Sequence, residues 1–354
     1  MIWLTWRQFR GSAAMTAAVL VVLGIALAVS GPGLASRYAA GIAACAPDDT
    51  CADFFDRFFG EHQIPFLALT LVVLILPALA GLFWGAPLVT RELEAGTHLL
   101  VWNQSVTRAR WLAVKLGLTG LAAMAAAGVC ALAVTWWSDP LDRSAVPEMA
   151  RMAPLVFGAR GITPMGYAAF AFVLGVTLGV LVRRTLPAMA LTLIAFAAIQ
   201  VAMPLLVRPH LLPPVTSAFE LGRTNVEGLV PQGGAVQIFL STSAVPGHAG
   251  AWVLSSDLVA PSGRAGGGHG AAGPSSTIAR SVPVSTTSGP CAPMGGLGTD
   301  ACTAEINRLG YRQRATYQPL ARFWPFQWIE TGIYALLTLG LTWLCFRRIR
   351  GGLS

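Results

Sequence analysis

A chain of 354 residues in which 55% are hydrophobic and only 11% charged is too apolar for a water-soluble domain of its length, so most of it must lie in lipid. The formal net charge of +8 does not mark a nucleic-acid binder, because the basic residues form no soluble basic module; many stand at the ends of apolar runs, where a membrane surface is the acidic partner. Soluble enzymes and nucleic-acid-binding proteins are thereby excluded.

A helix needs about 20 apolar residues to cross the hydrocarbon core, and a charge at its centre costs about 2.5–3.5 kcal/mol. Six runs meet that requirement: residues 12–30, 65–89, 112–137, 165–182, 186–207 and 326–346. They predict an all-α polytopic membrane protein with six transmembrane helices and a mixed extracytoplasmic segment between helices five and six. Residues 1–207 form the membrane domain with the first five spans, 208–325 an extracytoplasmic domain or long loop, and 326–354 the last span and a basic tail. Inside the runs only Lys115 and Glu330 are charged, each within about a turn of an end from which it can reach the interface.

Ahead of the first run, Ile2, Trp3, Trp6 and Phe9 share one side of a helical wheel with Arg7 at its border. Two readings fit: a helix lying on the cytoplasmic interface, or a short basic flank with aromatic anchors. A cleaved signal peptide is a third, although the apolar stretch exceeds the usual ~7–15 residues. Arg7 and Arg10, then Arg91, Arg108, Arg110 and Lys115, then Arg183 and Arg184, and finally Arg347, Arg348 and Arg350 all fall on one side of the six-span arrangement. The first opposite loop carries Asp48, Asp49, Asp53, Asp56 and Glu61. Because basic residues resist translocation, both termini are expected in the cytoplasm, with the chain a multi-pass protein of the cell membrane.

Between the last two runs no segment is long and apolar enough to span. Residues 261–300 are rich in Gly, Ser, Thr and Pro and are predicted mobile; 235–240 and 251–258 have strand-like composition, and 303–309 reads as helix. Cys130 and Cys345 lie in spans, while Cys45, Cys51, Cys291 and Cys302 fall on the predicted outer, oxidising side. Four cysteines allow three pairings. The two local ones, Cys45 with Cys51 and Cys291 with Cys302, close short loops and are expected; metal binding is the rival, with His62 the one histidine near either pair.

No catalytic constellation emerges. The only lysine sits in residues 111–115 without the glycine pattern of a phosphate loop, so the chain cannot hydrolyse ATP by that route. HExxH and GxSxG are absent, and the five histidines (His62, His98, His210, His248 and His269) lack ligand spacing, so neither a catalytic residue nor a metal site is predicted. Glu330 stands about one turn into the last span beside Trp324, Gln327 and Trp328. It reads either as an interfacial residue that caps or pairs near the start of the helix or, with Trp328, as a substrate gate. Gly81 with Gly85 and Gly175 with Gly179 are GxxxG pairs that permit close helix approach, dimerisation included, and Pro77, Pro187 and Pro204 can kink or start spans.

The most informative stretch is the second cytoplasmic connection, residues 90–111. Arg91 to Ala95 can carry the second span into the cytosol, Gly96 permits a turn, and residues 98–103 can form a short helix on the membrane surface. Ser105 or Thr107 can cap the third span, while Arg108, Arg110, Trp111 and Lys115 anchor its mouth. Such an elbow offers a rigid partner Glu92 and Glu94 together with Leu99, Leu100 and Trp102.

Here the sequence resembles the membrane subunits of type-2 ABC exporters, six-span permeases with cytoplasmic termini and an E-x-G-T element before a coupling helix. That element reads Glu94-Ala95-Gly96-Thr97, with an additional acid at Glu92, and residues 104–108 look like the family's lead into the third span. Residues 317–328 are similar to permeases common in actinobacteria. The resemblance implies ATPase-coupling roles for Arg91, Glu92, Glu94, Gly96, Thr97, Trp102, Ser105 and Arg108. It also implies a dimer of permeases bound to two ABC ATPase subunits, with ATP and Mg held by those partners and no cofactor in this chain. A hydrophobic or amphipathic substrate would leave the cytoplasm or inner leaflet. The alternative is a membrane-bound enzyme or ligand sensor with its active part in the outer domain.

Overall fold

The computed structural model describes residues 2–45, 51–94, 107–144, 147–232, 234–261, 278–279, 281–292 and 298–350. They divide into two compact units: Met1–Val146, Pro154–Leu211 and Phe323–Ser354 in one, Pro147–Ala153 and Leu212–Arg322 in the other.

The first unit is helical. It contains α1 (Ile2–Cys45), α2 (Cys51–Leu79), a π-helical segment (Ala80–Gly85), α3 (Pro87–Glu94), α4 (Arg108–Ser144), the single turn α5 (Pro154–Phe157), α6 (Thr163–Val182), α7 (Thr185–Ala202) ending in a second π-helical segment (Met203–Val207), and α9 (Phe323–Arg350). Six helices among the described residues are long and apolar enough to cross a membrane, spanning Phe9–Cys45, Asp53–Glu92, Ala109–Ser144, Thr163–Val182, Thr185–His210 and Leu320–Arg350. Most outrun the apolar stretches that announce them, because hydropathy marks only lipid-exposed length while the helical hydrogen-bond ladder continues beyond it. Residues 2–10 are the start of α1, continuous with the first span, in place of a separate surface helix or an irregular flank.

α6 is the hub. Of its apolar window 72% is enclosed, against 6% for α1, so it is packed by protein on most sides while α1 is largely exposed. One core cluster joins Val89, Leu112, Phe172, Val176 and Cys345 across α3, α4, α6 and α9; another joins Tyr167, Phe170, Phe196 and Tyr334 across α6, α7 and α9.

Glycines set the closest approach. A Cβ on Gly175 would lie 2.3 Å from the Gly81 carbonyl oxygen, one on Gly85 would lie 2.4 Å from the Phe172 oxygen, and one on Gly179 would lie 2.8 Å from the Ala86 oxygen. The two GxxxG pairs therefore interlock with each other inside one chain, the π-helical segment against α6, and neither pair is free to join two copies of the permease.

The second unit is mixed. Strand β7 (Arg312–Gln318) lies between β1 (Val215–Phe219) and β4 (Trp252–Val259), with β5 (Ile278–Ala279) beyond β4; β2 (Val226–Gln232), β3 (Ala235–Leu240) and β6 (Ser281–Val282) form a second sheet, and every pairing is antiparallel. Helix α8 (Gly298–Arg308) contributes Cys302 and Ile306 to a core with Leu221, Val236 and Leu258. The strand-like runs at 235–240 and 251–258 and the helical run at 303–309 are present as β3, β4 and α8. Strand β7 escaped the sequence because its inward residues include Gln313, whose amide is satisfied in the core: it accepts from Asn225 at 2.7 Å and donates to Ser256 at 2.9 Å. Most of the stretch predicted mobile, 261–300, lies outside the described residues.

Cys291 and Cys302 form a disulfide. Cys45 and Cys51 do not: both thiols are free, and Cys51 directs its sulfur at the Cys45 carbonyl oxygen, 3.6 Å away. Cys45 ends one helix and Cys51 starts the next, so each Cβ direction is set by its own helix, and short sequence separation alone does not align two sulfurs.

Candidate functional site

At the end of the helical unit where α3 finishes and α4 begins, the flanks of the elbow are tied down by side chains. Glu94, the last residue of α3, accepts from the Thr185 backbone N–H at 2.8 Å and from the Thr185 hydroxyl at 2.7 Å. Thr185 opens α7, where N–H groups have no partner within the helix, so a carboxylate both satisfies an orphan donor and meets the positive end of the helix dipole. The Thr185 hydroxyl also lies 2.9 Å from that of Thr90, which is itself bonded to the Ala86 carbonyl at 2.9 Å. These bonds to Thr185 hold the Glu94 carboxyl below the ordinary glutamate range, with a smaller contribution from Arg184.

Two residues earlier, on the other side of α3, Glu92 forms an ion pair with Lys115 of α4. Lys115 has only 4% of its side chain exposed, its ammonium lies 4.9 Å from the Trp111 ring centroid, and its carbonyl accepts from the Thr119 hydroxyl. It does not reach out to the interface as its position near a span end suggests, because a carboxylate partner inside the bundle is available. Thr107 caps α4: its hydroxyl accepts from the Arg110 N–H at 3.4 Å and its carbonyl from the Trp111 N–H at 3.1 Å. Arg91 is exposed, and Arg108 starts α4. Gly96, Thr97, Trp102 and Ser105 lie outside the described residues.

The opposite end carries a second polar cluster. Glu330 is fully buried within the protein and paired near the start of α9. Arg208 grips it with two parallel bonds, Nε to Oε2 at 2.9 Å and Nη2 to Oε1 at 3.0 Å, and the Tyr167 hydroxyl donates to the same carboxylate. The guanidinium also donates to the Pro154 carbonyl at 3.2 Å and lies 4.2 Å from the Phe157 ring centroid. Tyr334 stacks edge-on against Tyr167 at 4.8 Å and donates to Gln200 at 3.2 Å. Gln327 accepts from the Ile162 and Thr163 N–H groups at 3.0 Å each, capping α6. Nearby, Arg160 holds Asp142 at 3.1 and 3.2 Å. Trp328, paired with Glu330 in the sequence reading, is instead 66% exposed. Arg208 was missed as a site residue because it closes an apolar run and reads as the first residue of a loop; its one advance signal is an acid at matching depth in the next span.

These clusters clamp helices together. Residues 17–208, more than half of the chain, match the family model described as ABC-2 membrane transporter related. The chain belongs to that family. As an ABC-2-type permease it is the membrane subunit of a transporter, and the matched region runs from within the first span to near the end of the fifth and takes in both flanks of the elbow. No curated protein and no solved structure matches it.

Proposed function

We propose that this ABC-2-type permease is the membrane half of an exporter driven by a separate ATPase, with residues 90–111 as the surface on which that ATPase acts. The observation that carries the reading is the anchoring of the elbow's near flank to two different spans: Glu94 to α7 through Thr185, and Glu92 to α4 through Lys115. A force applied to the elbow is thus delivered to the second, third and fifth spans together, as rigid-body gating requires. At the far end, the Arg208–Glu330–Tyr167 clamp joins the fourth, fifth and sixth spans and serves as the element that must shift or move as a block when the exit opens.

In this reading both termini and the elbow are cytoplasmic, as the arginine distribution favours, and the Leu212–Arg322 unit is extracytoplasmic, where its disulfide is stable. Two copies of the permease pair with two ATPase subunits that hold ATP and Mg. A hydrophobic or amphipathic substrate leaves the cytoplasm or inner leaflet, which accords with spans whose charges are consumed in internal ion pairs. The test is ATP hydrolysis by the permease reconstituted in liposomes with its cognate ATPase. Glu94→Ala and Gly96→Val are expected to uncouple hydrolysis or abolish assembly while the permease stays inserted; wild-type coupling in both variants rejects the assignment.

A further inference from the structure

Beside the elbow's near flank, a cavity of about 330 Å³ opens between α1, the π-helical segment, α3 and α4. Its charged lining is Arg91, Glu92 and Lys115, with the hydroxyls of Ser12 and Thr119 beside them; its aromatic lining is Phe9, Phe83 and Trp84. We infer that this cavity binds the phosphate group of an anionic ligand.

Charge is the first reason. Two cations face one carboxylate, so the lining is net positive. The Lys115 ammonium has three donors; its described hydrogen bond goes to Glu92, and the Trp111 ring stands on another side. A cation so far removed from water gains most from a further anionic acceptor. Arg91 stands exposed on α3 and forms no ion pair among the described residues, leaving its planar fork of donors for oxygens of phosphate geometry.

Shape is the second. The volume falls within the ~300–1,000 Å³ of small-ligand sites, which combine apolar walls with a few convergent polar groups. Trp84, Leu88 and Arg91 follow at helical spacing, so the π-helical segment and α3 present one continuous wall, and Phe9 closes on Trp84 with ring centroids 4.8 Å apart. π-Helical insertions of this kind recur at functional sites. Phe83 is 57% exposed, in a span otherwise suited to lipid, which gives the apolar part of a phospholipid a surface beyond the headgroup. Free phosphate shares the headgroup chemistry and lacks the tail. Because the ligand would compete with Glu92 for Lys115, occupancy would bear directly on one of the two ties of the elbow.

The test uses the full-length permease alone, in an uncharged detergent, so its outcome is separate from that of the export reading. Native mass spectrometry would follow retention of dioctanoyl phosphatidylglycerol, dioctanoylglycerol, octanoate and inorganic phosphate. Phosphatidylglycerol is expected to be held and the other two amphiphiles not. Arg91→Gln, a surface change that leaves the fold intact, should weaken retention by on the order of tenfold. Glu92→Gln should tighten it by freeing Lys115, and the charge-neutral pair Glu92→Gln/Lys115→Gln should lose it. Displacement by millimolar inorganic phosphate would identify the soluble ion as the ligand; resistance to it would identify the lipid. The inference is overturned if neither phosphatidylglycerol nor phosphate binds, if dioctanoylglycerol or octanoate is held as well as phosphatidylglycerol, or if all variants bind as the wild type does.

Discussion

Glu94 illustrates how a single carboxylate connects two helices that the sequence separates by ninety residues. Its hydrogen bonds to Thr185 depress its pKa below the ordinary 4.5, so the charged cap contributes fully at neutral pH and is lost only as pH falls below that value, through the lowered folded-state pKa. Thr185→Ala removes the hydroxyl donor and keeps the N–H, so Glu94 should titrate closer to 4.5 in that variant; an NMR titration of carbon-13-labelled glutamate that shows no upward move would refute the cap. The Arg208–Glu330 pair makes a sharper case, since both side chains are essentially inaccessible. Arg208→Met leaves a buried carboxylate with Tyr167 alone and should destabilise the helical unit by about 3–5 kcal/mol, whereas Arg208→Met/Glu330→Met should recover most of that loss. Denaturation in graded dodecyl sulfate measures both, and equal losses in the single and double variants would contradict it. Glu330 was conspicuous in the sequence as an acid inside an apolar run. Its partner, 122 residues away, was not, because nothing in a linear pattern states which span ends meet.

At the scale of elements, the glycine pairs matter through what they touch. Gly175 sits against the Gly81 carbonyl with no room for a methyl, so Gly175→Ala should force the π-helical segment away from α6 and cost about 3 kcal/mol. Gly117, on α4, has open space where a Cβ would stand, and Gly117→Ala should be neutral or slightly stabilising, since alanine favours helix by up to about 1 kcal/mol. Comparing the thermal stability and oligomeric state of the two variants tests this. A stable Gly175→Ala protein that has merely lost self-association would return the motif to a role between copies. The GxxxG spacing was legible; whether the second helix belonged to the same chain was not, because the same close approach serves either case. The cysteines teach the same lesson: spacing proposed two local disulfides, and the folded chain closes Cys291, in a turn, onto Cys302 of α8 while leaving Cys45 and Cys51, each at a helix end, as thiols.

For the whole molecule, the proposed orientation makes opposite predictions for its two ends. In a protein with Cys45 and Cys51 replaced by serine, a cysteine placed at Ser285 of the mixed unit should be labelled by an impermeant maleimide added to intact cells, and one placed at Arg348 only after permeabilisation; reversed labelling would invert the topology and with it the place of the elbow. Six spans and a mixed segment before the last of them were readable from one dimension, because burial in lipid is a property of each residue's own polarity and is written in runs. The ion pairs Glu92–Lys115, Arg160–Asp142 and Arg208–Glu330, the cap of Glu94 on Thr185 and the interlocked glycines were not. Each depends on which helix faces which and at what depth, a choice made by side-chain packing between distant segments, and only the folded chain contains it.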